Sequence, residues 1–373
     1  MKKFTIAATA LAMVASTISL APAANAATVA ATKATVLAEC KTVGEVAKGK
    51  GADGSDLTCA KATVGSMKGK TVWSYAKLPV ISNLDVIIPN TLTSGFGGFG
   101  KAVADALKAE GLTKAEPILT AKPGAYNLSL AYLNKDLAGK AGKVAVTGFA
   151  QVGGAYTAKS GYLVSDATPV ARMMAEYNAI AVKADSKYTK IEELVADLKK
   201  DPKSLTVVGG TVGGIDTYTT AQLFDALNID ISNLTYVANN GKVPASLLSD
   251  AKYAFGVSGV ADFAPYVKAG TLRILAVTSA TAIKGVDAPT LKSKGVNVTV
   301  ENWRGLVLPP NTSAAGKATV IRALDIVTAS KSFKSYLAAQ SAFSNFLPGT
   351  KFSTWLKGEE SKIRRIYASI GLL

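Results

Sequence analysis

The chain has no histidine and only two cysteines. Without an imidazole, neither a Ser-His-Asp triad nor a Cys-His nucleophile can be assembled. A zinc site would need carboxylates alone, an unusual donor set; no metal and no cofactor are expected. Arginine-rich helices and basic runs interleaved with aromatics are also missing, which argues against nucleic acid as a partner. Beyond the N-terminal segment, no stretch is long and apolar enough to span a bilayer. Charged residues make up 18% of the chain and hydrophobic ones 49%, a balance that suits a packed core.

What is present begins with an address. Lys2 and Lys3 precede an apolar run, Ala7 to Leu20, and then Ala24-Asn25-Ala26. That is a secretory signal, and cleavage is expected after Ala26. Residue 27 is alanine, which closes the lipoprotein route. The mature protein is expected to be periplasmic, extracellular or associated with the cell surface. In such a compartment Cys40 and Cys59 are expected to pair. The formal charge of +16 then reads as a field that attracts anions or an anionic envelope.

Residues 27–83 differ from the rest, being rich in Ala, Thr and Lys. The spacing of Glu39-Cys40, Leu57-Thr58-Cys59 and Gly69-Lys70-Thr71-Val72-Trp73 suggests a small β unit stapled by the disulfide. So short a segment buries little apolar surface, which a staple offsets. Its eight lysines face Glu39, Glu45, Asp53 and Asp56, a balance suited to a weak, salt-screened hold on an anionic polymer. The alternatives are a passive spacer or a disordered linker. In either case the module is expected to take no part in ligand binding.

From Leu84 strand and helix patterns alternate. Asp85 to Ile88, Leu205 to Val208, Tyr253 to Val257 and Leu272 to Val277 read as strands. Phe99 to Lys108 and Tyr218 to Leu227 read as helices. Val103, Ala106 and Leu107 share one helical face, as do Ile191, Leu194, Val195 and Leu198. Val320, Ile321, Leu324 and Val327, then Phe352, Trp355, Ile363, Ile366 and Ile370, mark core faces of C-terminal helices. Repeated βα units predict an α/β fold of parallel sheets covered by helices.

In such folds ligands bind beyond the carboxyl ends of strands, at helix N-termini. Two loops there suit an anion. The first, Thr91 to Gly98, offers Thr91, Thr93 and Ser94 hydroxyls among Gly95, Phe96 and Gly97. The second, Gly209 to Thr217, offers Gly210, Thr211, Gly213 and Gly214. Exposed backbone N–H groups at a helix start favour a carboxylate or phosphate. The second loop has neither the Gly-Lys-Ser/Thr ending of a P-loop nor the dinucleotide glycine spacing. Ser258, in Gly256-Val257-Ser258-Gly259, misses the nucleophile-elbow pattern and has no histidine to activate it; it counts as a ligand contact. Neither loop contains lysine or arginine, so the carboxylate is expected to be held by backbone N–H groups, hydroxyls and water. Asp216 reads as a helix cap, and Arg304, beside Trp303, as a structural ion-pairing or stacking residue.

Residues 84–373 resemble the TctC-like substrate-binding proteins, or Bug receptors, of tripartite tricarboxylate transporters. The resemblance is carried in order by Ile87-Ile88-Pro89 with its glycine-rich loop and by the turn Lys122-Pro123-Gly124-Ala125-Tyr126-Asn127. It continues through Ala181 to Ser186, Ile191-Glu192-Glu193-Leu194 and Asp201-Pro202, then Gly209 to Gly214 and Asn239-Asn240-Gly241. Lys268 to Ser279 is the most specific block, and Pro289-Thr290-Leu291 and Trp303-Arg304-Gly305 complete the set. The resemblance implies a periplasmic-binding-protein-like fold: two lobes, each with a helix-covered, mostly parallel sheet, joined by a hinge. Lobe 1 is expected at about 84–180 and 304–373, and lobe 2 at about 181–303. It implies a small tri-, di- or aromatic carboxylate as ligand, and delivery to TctA/TctB-like membrane subunits. It adds Gly124, Ala125, Tyr126, Asn127, Asn239 and Asn240 to the ligand-binding residues. A monomer is expected. In the family the first loop often ends in Thr/Ser-Asp, where this chain has Phe96-Gly97, so an amino-acid ligand is disfavoured. The N-terminal module resembles short cysteine-and-tryptophan modules of exported actinobacterial proteins. Rival readings are an exported envelope-binding or structural protein, and a carboxylate-based hydrolase.

Overall fold

Several strands are apolar runs that stop at glycine or just before proline, and three of the helices start at a capping serine, Ser94, Ser313 or Ser330. A computed structural model describes residues 34–124, 127–239 and 242–373. The expected export signal and the positions Ala125, Tyr126, Asn240 and Gly241 lie outside the described residues. The N-terminal module contains β1 (Val46–Ala47), β2 (Leu57–Lys61) and β3 (Thr71–Ser74). The chain continues through β4 (Asp85–Ile88), α1 (Gly95–Ala109), β5 (Ile118–Ala121), α2 (Asn127–Ala131), β6 (Lys143–Gly148) and α3 (Phe149–Thr157). Then come β7 (Thr168–Lys183), α4 (Ile191–Lys200), β8 (Thr206–Gly209), α5 (Ile215–Ala226), β9 (Thr235–Ala238), α6 (Val243–Ser249), β10 (Tyr253–Gly259), α7 (Val260–Lys268) and β11 (Leu272–Val277). The last elements are β12 (Glu301–Leu308), α8 (Ala314–Ala329), α9 (Lys331–Ala339), β13 (Phe343–Pro348) and α10 (Gly349–Ser369).

Ten strands form one sheet with the main order β5-β4-β6-β12-β7-β10-β8-β9, and β11 and β13 also pair with β7. The flanks are parallel: β5-β4-β6 at one end and β10-β8-β9 at the other. The strands that join them are antiparallel. β7 is 16 residues long. Its first half pairs with β12 and β13, and its second half with β10 and β11. One strand therefore serves both halves. Trp303 of β12, fully buried, stacks edge-on against Phe352 and Trp355 of α10 at this junction. α10 reaches across both halves: its Tyr367 hydroxyl donates to the Gly213 carbonyl at 2.5 Å, and Arg365 binds both carboxylate oxygens of Asp225 in α5.

The module is a three-stranded antiparallel sheet, and Cys40 and Cys59 are bonded, with Cα atoms 5.9 Å apart. It is ordered and docked. Leu57, Trp73 and Tyr75 join the same hydrophobic cluster as Val86, Phe99 and Leu324. Tyr75 donates to Asp325 of α8 at 2.6 Å, and Arg322 of α8 pairs with Asp53 at 2.8 Å. Burial pushes Asp325 above the usual carboxylate range, although Tyr75 and the Ala52 N–H bond it. Ser66 N–H donates to Glu110, just past the C-terminal end of α1. The contact lies a helix length, roughly 20 Å, from the start of α1, where the first loop lies.

Candidate functional site

The first loop leaves β4 at its carboxyl end and enters α1. Ser94 caps the helix: its hydroxyl accepts from Gly97 N–H at 3.1 Å and donates to the Thr91 carbonyl at 2.6 Å. The exposed Thr91 and Thr93 hydroxyls lie 3.3 Å apart. Gly97 permits the tight turn, because a Cβ there would lie 2.0 Å from the Leu92 carbonyl oxygen. No acidic residue occupies the first turn of α1. A cation stands beside it: a Cβ on Gly95 would lie 3.1 Å from Nη2 of Arg304. Arg304 projects from β12 and pairs with Glu176 of β7 at 3.1 Å. Glu176 also accepts from the Asn302 amide at 3.0 Å. Burial holds Glu176 above the ordinary carboxylate range, with Arg304 pulling the other way.

The second loop repeats the design between β8 and α5, with a different charge. Gly213 adopts φ +80°, a left-handed conformation that glycine takes without strain. Asp216, in the first turn of α5, is buried. Its carboxylate accepts from Gly210 N–H at 2.9 Å and from the Asn178 amide at 2.7 Å. Tyr236 donates to the Gly210 carbonyl and Thr217 to the Thr211 carbonyl. Burial raises Asp216 to about 6, against the two bonds that lower it, and the charge of Asp262 adds to the rise. The folded pKa exceeds the unfolded one, so the stabilising protonation is fully present below the ordinary value and is lost as pH rises through about 6. Asp216→Asn removes this titration. From about pH 4.5 to 7.5 the stability of wild type relative to Asp216→Asn should fall by about 2 kcal/mol. Chemical denaturation of both proteins across that range checks it, and a pH-independent difference contradicts it.

Both loops are tied to one stretch of β7. Glu176 and Asn178, two residues apart and so on one face of the strand, reach the first loop through Arg304 and the second through Asp216. Among the described residues no group of three or more His, Cys, Asp or Glu side chains is placed to hold a metal ion. A cavity of about 530 Å³ opens instead along β11 and α7, beside Val267, Arg273 and Asp287. The Arg273 guanidinium is used there on the Tyr188 and Ala184 carbonyls, and neither loop borders that cavity.

The family model described as the tripartite tricarboxylate transporter family receptor, TctC, matches residues 142–366. The chain belongs to the TctC family. Among solved structures it is similar to a TctC solute-binding protein from Polaromonas, at 23% identity and a TM-score of 0.68 over 77% of this chain and 98% of that one. It is also similar to MatC from Rhodopseudomonas palustris, solved with bound malate, at 17% identity and a TM-score of 0.55 over 78% of this chain and 99% of that one. A third, an R. palustris protein solved with adipate, is 17% identical with a TM-score of 0.56 over 78% of this chain and 97% of that one. No curated protein matches the chain. The fold is therefore the two-lobed periplasmic-binding-protein fold, and both family and fold are those of solute-binding receptors rather than enzymes. Among the described residues no helix is long and apolar enough to cross a membrane.

Within this TctC fold the residues expected from the sequence separate by environment. Thr91 and Thr93 are exposed on the first loop, and Ser94 is its cap. Gly95, Phe96 and Gly97 are helical, because α1 starts at Gly95, four residues before the expected start at Phe99. The Phe96 ring is buried beside Gly148 and belongs to a core cluster. Gly210, Thr211, Gly213 and Gly214 form the second loop, with Gly214 as the N-cap of α5. Asp216 is thus not the cap itself; it braces the loop from within the first turn of α5. Ser258 donates to Asp262 at 2.7 Å. The Asn239 backbone donates to the Gly209 carbonyl and its amide to Ser246. Gly124 takes φ +131°, and Asn127 begins α2. Ala125, Tyr126 and Asn240 lie outside the described residues. The sequence reading passed over Glu176 and Asn178, which alternate with apolar positions in a buried strand. Two polar residues inside a mostly apolar run were the available signal.

Proposed function

We propose that this protein is an extracytoplasmic receptor that captures a small carboxylate between its lobes and delivers it to a TctA/TctB-like membrane complex. The observation that carries the reading is the matched pair of strand–loop–helix units: Thr91 to Gly95 entering α1, and Thr211 to Ile215 entering α5. Each presents a threonine-bearing loop at a helix N-terminus, and both are braced by neighbouring residues of β7. Helix N-termini favour anions. The malate and adipate seen in similar structures are consistent with that chemistry. Lobe 1 then comprises about 84–180 and 304–373, and lobe 2 about 181–303, with β7 and β12 as the two crossings and ligand closing the hinge between them. The N-terminal module, seated at the far end of α1, stays out of the binding event.

A thermal-shift screen of di- and tricarboxylates, aromatic acids and sugars tests the reading, since a ligand of the native state raises its melting temperature by mass action. At 100 times Kd a single-site acid adds about 2.7 kcal/mol. A shift by a sugar with none by any acid would overturn the carboxylate assignment.

A further inference from the structure

We infer that the seam between the N-terminal module and the α8–α9 pair binds a linear phosphodiester polymer of the cell envelope. The inference goes beyond the receptor reading and does not depend on it. Two cavities, of about 360 and 620 Å³, lie along this seam and share Leu37, Ala329 and Lys334, so they form one continuous groove. The module supplies one wall, with Lys50 in the first cavity and Met67 and Lys70 in the second. The other wall is α9. Lys331, Lys334, Ser335 and Ala338 line the groove at the i, i+3, i+4 and i+7 spacing of one helical face. All four are exposed, while Phe333 and Leu337 are buried on the opposite face. Ala329, Ser335 and Ala338 have short side chains, so the lysines overhang a shallow floor.

The charge along the groove has one sign. Among the described residues no ion pair engages Lys50, Lys331 or Lys334. Lys70 shares its charge with Glu39 at 3.0 Å. Asp325 borders the first cavity, but its carboxylate already accepts from Tyr75 at 2.6 Å and from the Ala52 N–H at 3.3 Å. Among the described residues no carboxylate lines the second cavity. Every cation on the groove is a lysine. An ammonium is a compact point charge that meets phosphate from any direction, whereas the guanidinium fork matches two carboxylate oxygens. A row of lysines therefore suits repeated single charges on a flexible strand better than one small acid.

The shape of the seam favours a strand over a flat membrane surface, because the groove is recessed between two walls. Their spacing is fixed. Leu37, common to both cavities, takes φ +63°, a left-handed conformation that a bulky residue adopts only under constraint. Its N–H donates to the Trp73 carbonyl at 2.9 Å, which ties this edge to β3, and Tyr75, just past β3, is bonded to Asp325 of α8. The polymer would thus bind the module and lobe 1 together, at the end of α1 remote from the first loop.

The test is fluorescence anisotropy of labelled poly(glycerol phosphate) with the full chain, beside poly-L-glutamate of matched charge and co-sedimentation with phosphatidylglycerol vesicles. Lys331→Gln/Lys334→Gln should weaken polymer binding about 10-fold and lower the slope of log K against log salt by about 1–2. Lys50→Gln, on the module wall, should weaken it about 3-fold. Lys199→Gln/Lys200→Gln removes the same charge from the exposed end of α4 and should change the affinity less than about 2-fold. Binding of small acids should be unchanged in every variant, so the outcome is independent of the receptor reading. Equal losses in the two double variants would reduce the attraction to net charge alone. Tighter binding of poly-L-glutamate, binding to the vesicles only, or no polymer binding by wild type at low salt would rule out a phosphodiester strand in the groove. Each of these results would overturn the inference.

Discussion

Gly97→Ala is expected to abolish small-acid binding and to cost about 3 kcal/mol of stability, whereas Gly98→Ala one residue on should do neither. The two substitutions add the same atom to the same turn of α1. At Gly97 it would lie 2.0 Å from the Leu92 carbonyl oxygen and 2.6 Å from that of Thr91. Both obstacles are backbone, so no side chain can swing aside. The loop from Thr91 to Ser94 must move instead, and with it goes the Ser94 cap, a contact typically worth about 1 kcal/mol. At Gly98 nothing lies within 4 Å of the added atom, and replacing an exposed helical glycine by alanine stabilises by about 0.5–1 kcal/mol. Urea denaturation and acid titration of the two variants side by side check the pair. Equal behaviour would mean that the first loop tolerates displacement and does not shape the site.

Trp303→Ala should produce the largest loss of stability of any single change at the lobe junction, about 3–5 kcal/mol. The indole is fully buried and is packed edge-on against Phe352 and Trp355, with ring centroids 5.8 and 5.2 Å away. Its strand runs between β6 and β7, so the cavity would open where the two halves meet and not at the periphery. Trp303→Phe keeps most of the apolar volume. The indole N–H finds no hydrogen-bond partner among the described residues, so phenylalanine forfeits no bond and should cost under about 2 kcal/mol. Chemical denaturation orders the three proteins. A loss below about 1 kcal/mol for the alanine variant would contradict this placement of the core.

The helical faces were legible in the sequence because a period of 3.6 leaves its trace in a single segment. Val103, Ala106 and Leu107 are buried in α1, Ile191, Leu194 and Leu198 in α4, and Val320, Ile321, Leu324 and Val327 in α8, all as their spacing indicates. The helix starts were displaced. Gly95 to Gly98 reads as flexible loop by composition, and only the Ser94 cap makes it the first turn of α1. β7 escaped the reading for a different reason. Its residues are buried nearly throughout, so the alternation that marks a strand with one solvated face is absent.

The chain by itself determined the α/β class, the pairing of Cys40 with Cys59, the absence of imidazole chemistry, and the two glycine- and threonine-rich loops. Each of these is written in local composition or in a short spacing. The family was carried by an ordered series of such blocks. What only the tertiary structure decided is how the loops differ. Arg304 lies more than 200 positions after the first loop, and Asn178 precedes Asp216 by 38, yet β7 and β12 bring one partner to each loop. No local pattern encodes that meeting. It follows from strand register, which places Glu176 opposite Asn302 and Arg304 opposite Gly148. Charge at a helix end depends on what is packed against it through space, and that is why two loops of similar sequence present one cationic helix start and one acidic one.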